Sequence, residues 1–413
     1  MPAMLVSNIK LLVNTREQNH LLRGRDLAHL PCLRDAYLVI DQGRIAEFGN
    51  MTDCKHRPED FLHSVDASGQ LVLPAWCDSH THLVFANSRE GEFIDKIKGL
   101  SYAEIAAKGG GILNSAARLN ETPDDELFNL AWKRLEEVSK LGTGAIEIKS
   151  GYGLSVEGEL KMLRVIRKLK EKSPLSIKTT FLGAHTYPNE FKENHQGYID
   201  MVTQEMLPAI AAEKLADYID VFCETGFFSP EETETICKAG MALGLKPKLH
   251  VNQLNSIGGI QTGIKLGALT LDHLETMTEA DVEDLSASNC IGTLLPSAAF
   301  FLRMPFQPAR KLIDAGAAIA LATDFNPGSS PSGNMNLVVS MSCIQMKMLP
   351  EEAINAATIN GAYAMELQDE VGSITSGKKA NLIFTRPVPS LAYLTYAFGT
   401  NLIHKVMING EFL

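Results

Sequence analysis

The sequence predicts an α/β fold: a closed (β/α)8, TIM-like barrel carrying a small β-sandwich domain formed by both chain ends. Three observations predict it. Eight short apolar runs recur through the middle of the chain. Segments of helical spacing lie between most of them. Both termini are instead rich in short strands and turns.

The ends come first. Ala36 to Ile40 is apolar, Asp41-Gln42-Gly43-Arg44 is a turn, and Ile45 to Phe48 resumes the strand, which makes a hairpin. The far end repeats this character in Asn381 to Phe384, Ile403 to Ile408, Asn409-Gly410 and Glu411 to Leu413. Residues 1–70 with 375–413 are therefore expected to form the discontinuous small domain, and 71–374 the barrel.

The eight runs are Gln70 to Cys77, Thr143 to Lys149, Ile177 to Gly183, Tyr218 to Cys223, Pro247 to Val251, Ala268 to Asp272, Cys290 to Leu295 and Ala318 to Thr323. Between them, Pro123 to Lys140 opens with acids and places Leu127, Leu130, Ala131, Leu135 and Val138 near helical period. Glu157 to Lys172 is a second helix. Alternating strand and helix means a parallel sheet covered by helices, and eight repeats favour closure.

Composition narrows the function classes. With 38 Lys+Arg against 49 Asp+Glu the net charge is −11, which argues against a nucleic-acid or anionic-membrane surface. No apolar run reaches the roughly 18 residues of a membrane helix. No basic-then-apolar leader opens the chain. Seven scattered cysteines, an odd number without a CxxC, argue against a disulfide framework. The expected compartment is the cytoplasm.

Barrel chemistry sits at the C-terminal ends of the strands. The first run leads into Asp78-Ser79-His80-Thr81-His82, and residues two apart in extended chain share a face. At the ends of the fifth, sixth and eighth runs, within one residue of each, stand His250, His273 and Asp324. Any one of these histidines alone is more simply a buried or loop imidazole. Together they form a set that converges if the barrel closes. His20, His29, His56, His63, His195 and His404 fall elsewhere and read as surface or structural. Imidazoles with a carboxylate suit a borderline divalent ion, Zn²⁺ or Fe²⁺, and leave room for a water whose pKa the ion lowers toward about 7.

This pattern resembles the metal motif of the amidohydrolase superfamily. The likeness covers roughly 70–375. The Asp41 to Gly49 hairpin and Gly377-Lys378-Lys379-Ala380-Asn381-Leu382 are similar to the family's small domain, with Asn381 where Asp is usual. Binuclear members carry a bridging Lys on the fourth strand. Here that run ends Cys223-Glu224, so a single ion is implied, and Lys149 reads as a buried, paired lysine. More specific stretches lie around Arg89, Lys149-Ser150-Gly151-Tyr152-Gly153, Gly183-Ala184-His185, His250-Val251-Asn252-Gln253, Asp272-His273-Leu274-Glu275 and Asp324-Phe325-Asn326-Pro327-Gly328-Ser329. Together they are similar to the imidazolonepropionase family, which opens a five-membered cyclic amide in histidine degradation.

The resemblance implies residue roles. His80, His82, His250 and Asp324 would hold the ion, and His273 would be the base, or else a fifth ligand. Asp324 or His273 would protonate the leaving nitrogen. Arg89 supplies a planar fork for the substrate's carboxylate tail, although a salt bridge to Glu90 or Glu92 is its plainer reading. Tyr152, between glycines, can donate to the same tail. His185 and Gln253 would meet the ring. Asn326, Gly328 and Ser329 offer amide, backbone N–H and hydroxyl groups to a carboxylate. Gly109-Gly110-Gly111 lacks a following Gly-Lys-Ser/Thr, so it reads as a flexible lead-in to a helix and a lid rather than a phosphate loop. The partner implied is a small anionic cyclic amide, and a homodimer follows from family analogy alone. Two other readings stand beside this one. A deaminase of this fold often has Glu three residues past the fifth-strand His, where this chain has Gln253. An inactive barrel would be expected to have lost a ligand, and none is missing.

Overall fold

The computed structural model describes residues 3–100, 104 and 110–413. In chain order the strands are β1 (Met4–Val13), β2 (Cys32–Asp41), β3 (Arg44–Asn50), β4 (His63–Asp66), β5 (Leu71–Pro74), β6 (Trp76–Asp78), β7 (Thr143–Lys149) and β8 (Ser176–Ala184). They continue with β9 (Tyr218–Cys223), β10 (Lys246–Val251), β11 (Thr270–His273), β12 (Ile291–Leu294), β13 (Ala318–Leu321), β14 (Leu382–Thr385), β15 (Ile403–Ile408) and β16 (Glu411–Phe412).

Strands β6 to β13 form one sheet in sequential order, with every neighbouring pair parallel. The seam between its first and last strands closes just beyond their ends. There the Asp324 N–H donates to the His80 carbonyl at 3.0 Å and the His82 N–H to the Phe325 carbonyl at 2.9 Å. Asp78 reinforces the seam by accepting from the Thr323 N–H (3.0 Å) and hydroxyl (2.6 Å).

The chain ends build the second sheet, ordered β16–β15–β14–β5–β1–β2–β3 with β4 on the side of β1. Buried residues from both halves of this sheet, among them Val6, Ile9, Leu38, Ile45, Leu382, Phe384 and Met407, share one core.

The apolar run Gln70 to Cys77, expected as one strand, is two strands in different sheets. Pro74 pairs with Leu382 in the small domain, whereas Trp76 pairs with Thr143 in the barrel. The Ala75 N–H between them donates to the Asn381 carbonyl at 2.9 Å. Asn381, where the superfamily usually has Asp, donates Nδ2 to the Gly144 carbonyl (3.4 Å) and accepts the Asn409 N–H on Oδ1 (2.8 Å). A carboxylate would lack that donor.

The first long helices in the chain are α1 (Glu90–Ile97), α2 (Ile112–Glu121), α3 (Asp124–Lys140) and α4 (Val156–Lys172). In α3, three acids in the first turn oppose the helix dipole, and Leu127, Phe128, Ala131, Leu135 and Val138 are buried. The Ser155 hydroxyl caps α4 by accepting the Gly158 N–H at 3.1 Å. Gly111 caps α2 at φ 89°, a conformation glycine adopts without a Cβ penalty. The lid reading rested partly on Gly109, which lies outside the described residues. Among the described residues no helix is long and apolar enough to cross a membrane.

Candidate metal centre and binding pocket

Extended backbone beyond β6 aims two imidazoles at one point, as the His-x-His spacing requires. His80 Nε2 and His82 Nε2 each lie 3.5 Å from Asp324 Oδ1, and His82 Nε2 lies 3.3 Å from His250 Nε2. Donor atoms of His80, His82 and His250 fall within 4.8 Å of one another, as do those of His80, His273 and Asp324. All five side chains are buried. His80 Nε2 has no hydrogen-bond partner. A buried polar atom left unpaired is costly unless something else binds it. The donor set therefore fits a divalent ion, with neutral imidazole nitrogens and one carboxylate oxygen facing a common centre.

A second layer fixes those imidazoles. His80 Nδ1 donates to Asp272 Oδ2 at 2.6 Å, and His250 Nδ1 donates to Asp220 Oδ2 at 2.9 Å. Each bond leaves Nε2 as the lone-pair atom toward the centre, which is how a second shell sets the tautomer of a metal-ligating histidine. Beneath them Lys149 Nζ reaches Asp220 Oδ2 (2.8 Å), Glu147 Oε1 (2.7 Å) and Asp272 Oδ2 (3.5 Å). Lys248 pairs with the other oxygen of Glu147. None of these five side chains has any exposure.

Burial and the neighbouring cations push the pKa values of His80, His82 and His250 well below the ordinary imidazole range, which keeps them neutral. Burial lifts Asp324 to about 7, against the pull of His273. For His273 burial acts downward, but Glu275, Asp324 and Asp272 together outweigh it and the net shift is upward. Glu275 Oε1 sits 3.3 Å from His273 Nδ1. Both His273 (φ 87°) and Asp324 (φ 54°) hold left-handed backbone, sparsely populated for residues with a Cβ and commonest at functional sites.

A pocket of about 590 Å³ opens over this cluster. Every sequence-predicted site residue borders it except His80, which lies beneath. His185 stacks on His82 with ring centroids 5.3 Å apart. Its Nδ1 donates to the Gly151 carbonyl at 3.0 Å, so Nε2 is the acceptor presented to a ligand, and burial lowers its pKa to about 4. Tyr152 is buried beside both rings.

Arg89 precedes α1 and does make the salt bridge considered for it, to Glu92 at 2.5 Å, while lining the pocket with a side chain only 8% exposed. The Asn326 side chain is bonded within its own loop. It donates to the Asp324 carbonyl (2.6 Å) and Ser329 Oγ (2.7 Å), and accepts from the Gly328 and Ser329 N–H groups (2.8 Å each). The Ser329 hydroxyl in turn reaches Asp324 Oδ2 at 3.2 Å. Asn326 therefore shapes the loop that presents Asp324, and its amide meets a ligand only if these bonds exchange.

Sequence reasoning missed Lys96, Phe222 and Phe227 in the pocket wall, and Asp78, Asp220, Asp272 and Lys248 beneath it. For Lys96 a signal existed. It stands seven residues after Arg89 and four after Glu92, on one helical face.

With this geometry in hand, comparison with known proteins is direct. A family model described as the amidohydrolase family matches residues 161–413. The imidazolonepropionase of Flavobacterium johnsoniae is 58% identical over 410 residues, covering 99% of each chain. That of Christiangramia forsetii is 55% identical over 411 residues, covering 99% of this chain and 100% of its own. Among solved structures, E. coli guanine deaminase superposes with a TM-score of 0.75 at 15% identity, covering 100% of this chain and 98% of its own. A zinc-bound adenosine deaminase from Xanthomonas campestris gives 0.71 at 16%, covering 99% and 92%. At those identities the structural likeness concerns the fold.

Proposed function

The chain belongs to the imidazolonepropionase family of the amidohydrolases, and from this premise we propose that it adds one water across the ring amide of 4-imidazolone-5-propanoate, releasing N-formimino-L-glutamate. His80, His82, His250 and Asp324 hold one divalent ion in this reading, and His273 is the base. The observation that carries it is the convergence of three imidazole nitrogens and a carboxylate oxygen beneath a pocket lined also by Arg89 and Lys96.

When bound, the ion lowers the pKa of a coordinated water toward about 7 and polarises the ring carbonyl. The protein's own groups do the rest. His273 Nδ1 faces Glu275, which leaves Nε2 free to accept the proton of the attacking water. His185 Nε2 accepts from a ring N–H, and the Gln253 side chain borders the opposite edge. Arg89 and Tyr152 hold the tail carboxylate, with the Ser329 hydroxyl at its margin. As the ring C–N bond breaks, His273 or Asp324 returns a proton to the leaving nitrogen.

Zinc and iron(II) both suit three imidazoles and a carboxylate, and elemental analysis of the purified protein separates them. A cytoplasmic homodimer belongs to the same reading, carried by family resemblance, and light scattering tests its oligomeric half. The decisive experiment is mass spectrometry of freshly generated imidazolone propanoate incubated with metal-loaded protein. The expected product is heavier by one water and absent after metal stripping. Unchanged substrate with folded, metal-bound protein would refute the substrate assignment.

A further inference from the structure

Arg89 alone does not make its part of the pocket attractive to an anion. Its guanidinium is paired with Glu92 at 2.5 Å, and the other Glu92 oxygen accepts the Gly111 N–H at 2.9 Å. A guanidinium and a carboxylate in contact carry no net charge. A substrate carboxylate must then compete with Glu92 for the same fork, and desolvating it beside a neutral pair is unfavourable.

A second cation stands beside that pair. Lys96, four residues past Glu92 on α1, borders the same pocket. Its ammonium donates to the Gly328 carbonyl at 3.2 Å. Gly328 is also the residue on which Arg89 rests, since a Cβ there would fall 2.2 Å from Arg89 Nη1. Both cations thus meet at one residue of the loop that follows Asp324. Among the described residues, Lys96 has no carboxylate within 4.0 Å. Burial and then the Arg89 charge lower its pKa from the ordinary lysine value, with Glu92 opposing. Two cations with one anion give this corner a net charge of plus one.

We infer that Lys96 is a specificity-determining residue. Its ammonium gives the Arg89–Glu92 pair the net positive charge that selects a substrate with an anionic tail, and the tail carboxylate binds between Nζ and the guanidinium. The inference rests on the cyclic-amide reading for its substrate. It requires only the corner's charge for its logic. Lys96 touches the tail and not the reacting ring, so its loss acts on substrate affinity rather than on the chemical step.

The test compares wild type, Lys96→Met and Lys96→Arg on imidazolone propanoate and on the same compound with its tail carboxylate made a carboxamide. Lys96→Met should raise KM for the propanoate by about 10–100-fold, the range for losing a charge-assisted hydrogen bond, with kcat changed less than about threefold. KM for the carboxamide should hardly move, and Lys96→Arg should restore most of the propanoate preference. An unchanged propanoate KM, or equal losses on both compounds, overturns the inference. Should wild type turn over neither compound, the cyclic-amide reading fails. Calorimetry with 3-(imidazol-4-yl)propanoate then judges Lys96 separately: weaker binding by the Met variant supports its role, and equal binding refutes it. Lys96→Gln serves if the Met variant does not fold.

Discussion

Replacing Lys149 by methionine removes the ammonium that lies among Glu147, Asp220 and Asp272. Burial acts to lower the pKa of this lysine, but the three carboxylates together outweigh burial and hold it above the ordinary lysine value. The buried group then falls from two lysines against three carboxylates to one against three. Breaking a buried ion pair by deleting one partner typically costs about 3–5 kcal/mol. With an unfolding entropy of about 2.1 cal/mol/K per residue, 413 residues turn that into a fall of roughly 3–6 °C in Tm. A second effect is distinct. The ammonium also positions Asp220 and Asp272, the carboxylates that accept from His250 Nδ1 and His80 Nδ1, and without it those two acceptors lose their shared anchor. Loss of such outer-shell support lowers metal affinity by about 10–100-fold. The assay has two parts: thermal denaturation of metal-stripped protein, and metal affinity by chelator competition. A Lys149→Met protein that melts within about 1 °C of wild type and holds its ion as tightly would refute the reasoning.

Other expectations follow from the same geometry. His273→Ala should keep its metal while kcat falls by about 10²–10⁴, the range for losing an acid–base group, so near-normal turnover would remove His273 from the base position. Gly328→Ala sets a Cβ against Arg89 Nη1, a mobile side-chain end, so Tm should hold while the propanoate KM rises by about 10-fold or more; an unchanged KM would place the tail elsewhere. Burial lowers Lys378 to about 8 from 10.5. Between those values the unfolded chain binds a proton that the folded one lacks, so stability should rise with pH across pH 8–10.5, by up to about 3 kcal/mol. Urea midpoints measured through that window should show the rise in wild type and lose it in Lys378→Met, and parallel curves would contradict the assignment.

The strand-end cluster was plain in the sequence, because period two and apolar runs are local properties. His80 and His82 share a face wherever the chain is extended, and His250, His273 and Asp324 each stand within one residue of the end of such a run. The layer beneath was hidden for the opposite reason. Asp220, Asp272, Glu147 and Lys248 interrupt apolar strands as solvent-facing residues would, and only closure of the barrel reveals that they face its interior. The division of Gln70 to Cys77 depends on Leu382, more than three hundred residues away, so no local pattern could mark it. Asn326 misled in another way. Its amide was legible as a donor near a carboxylate site, but turn bonds to its immediate neighbours claim it first.

The position of β5 governs how this molecule can be made. It lies between β1, which precedes the barrel in the chain, and β14, which follows it. Until Leu382 to Thr385 emerges, β5 presents an unpaired edge of four buried residues, and the seam at Ala75 has no Asn381 carbonyl to accept its N–H. The small domain is therefore completed only after translation of the barrel that separates its halves. Such non-local pairing is slow to form and exposes strand edges while it waits. A nascent chain stalled before Leu382 would carry the whole barrel and its histidine cluster and still lack one side of the sheet that holds β5.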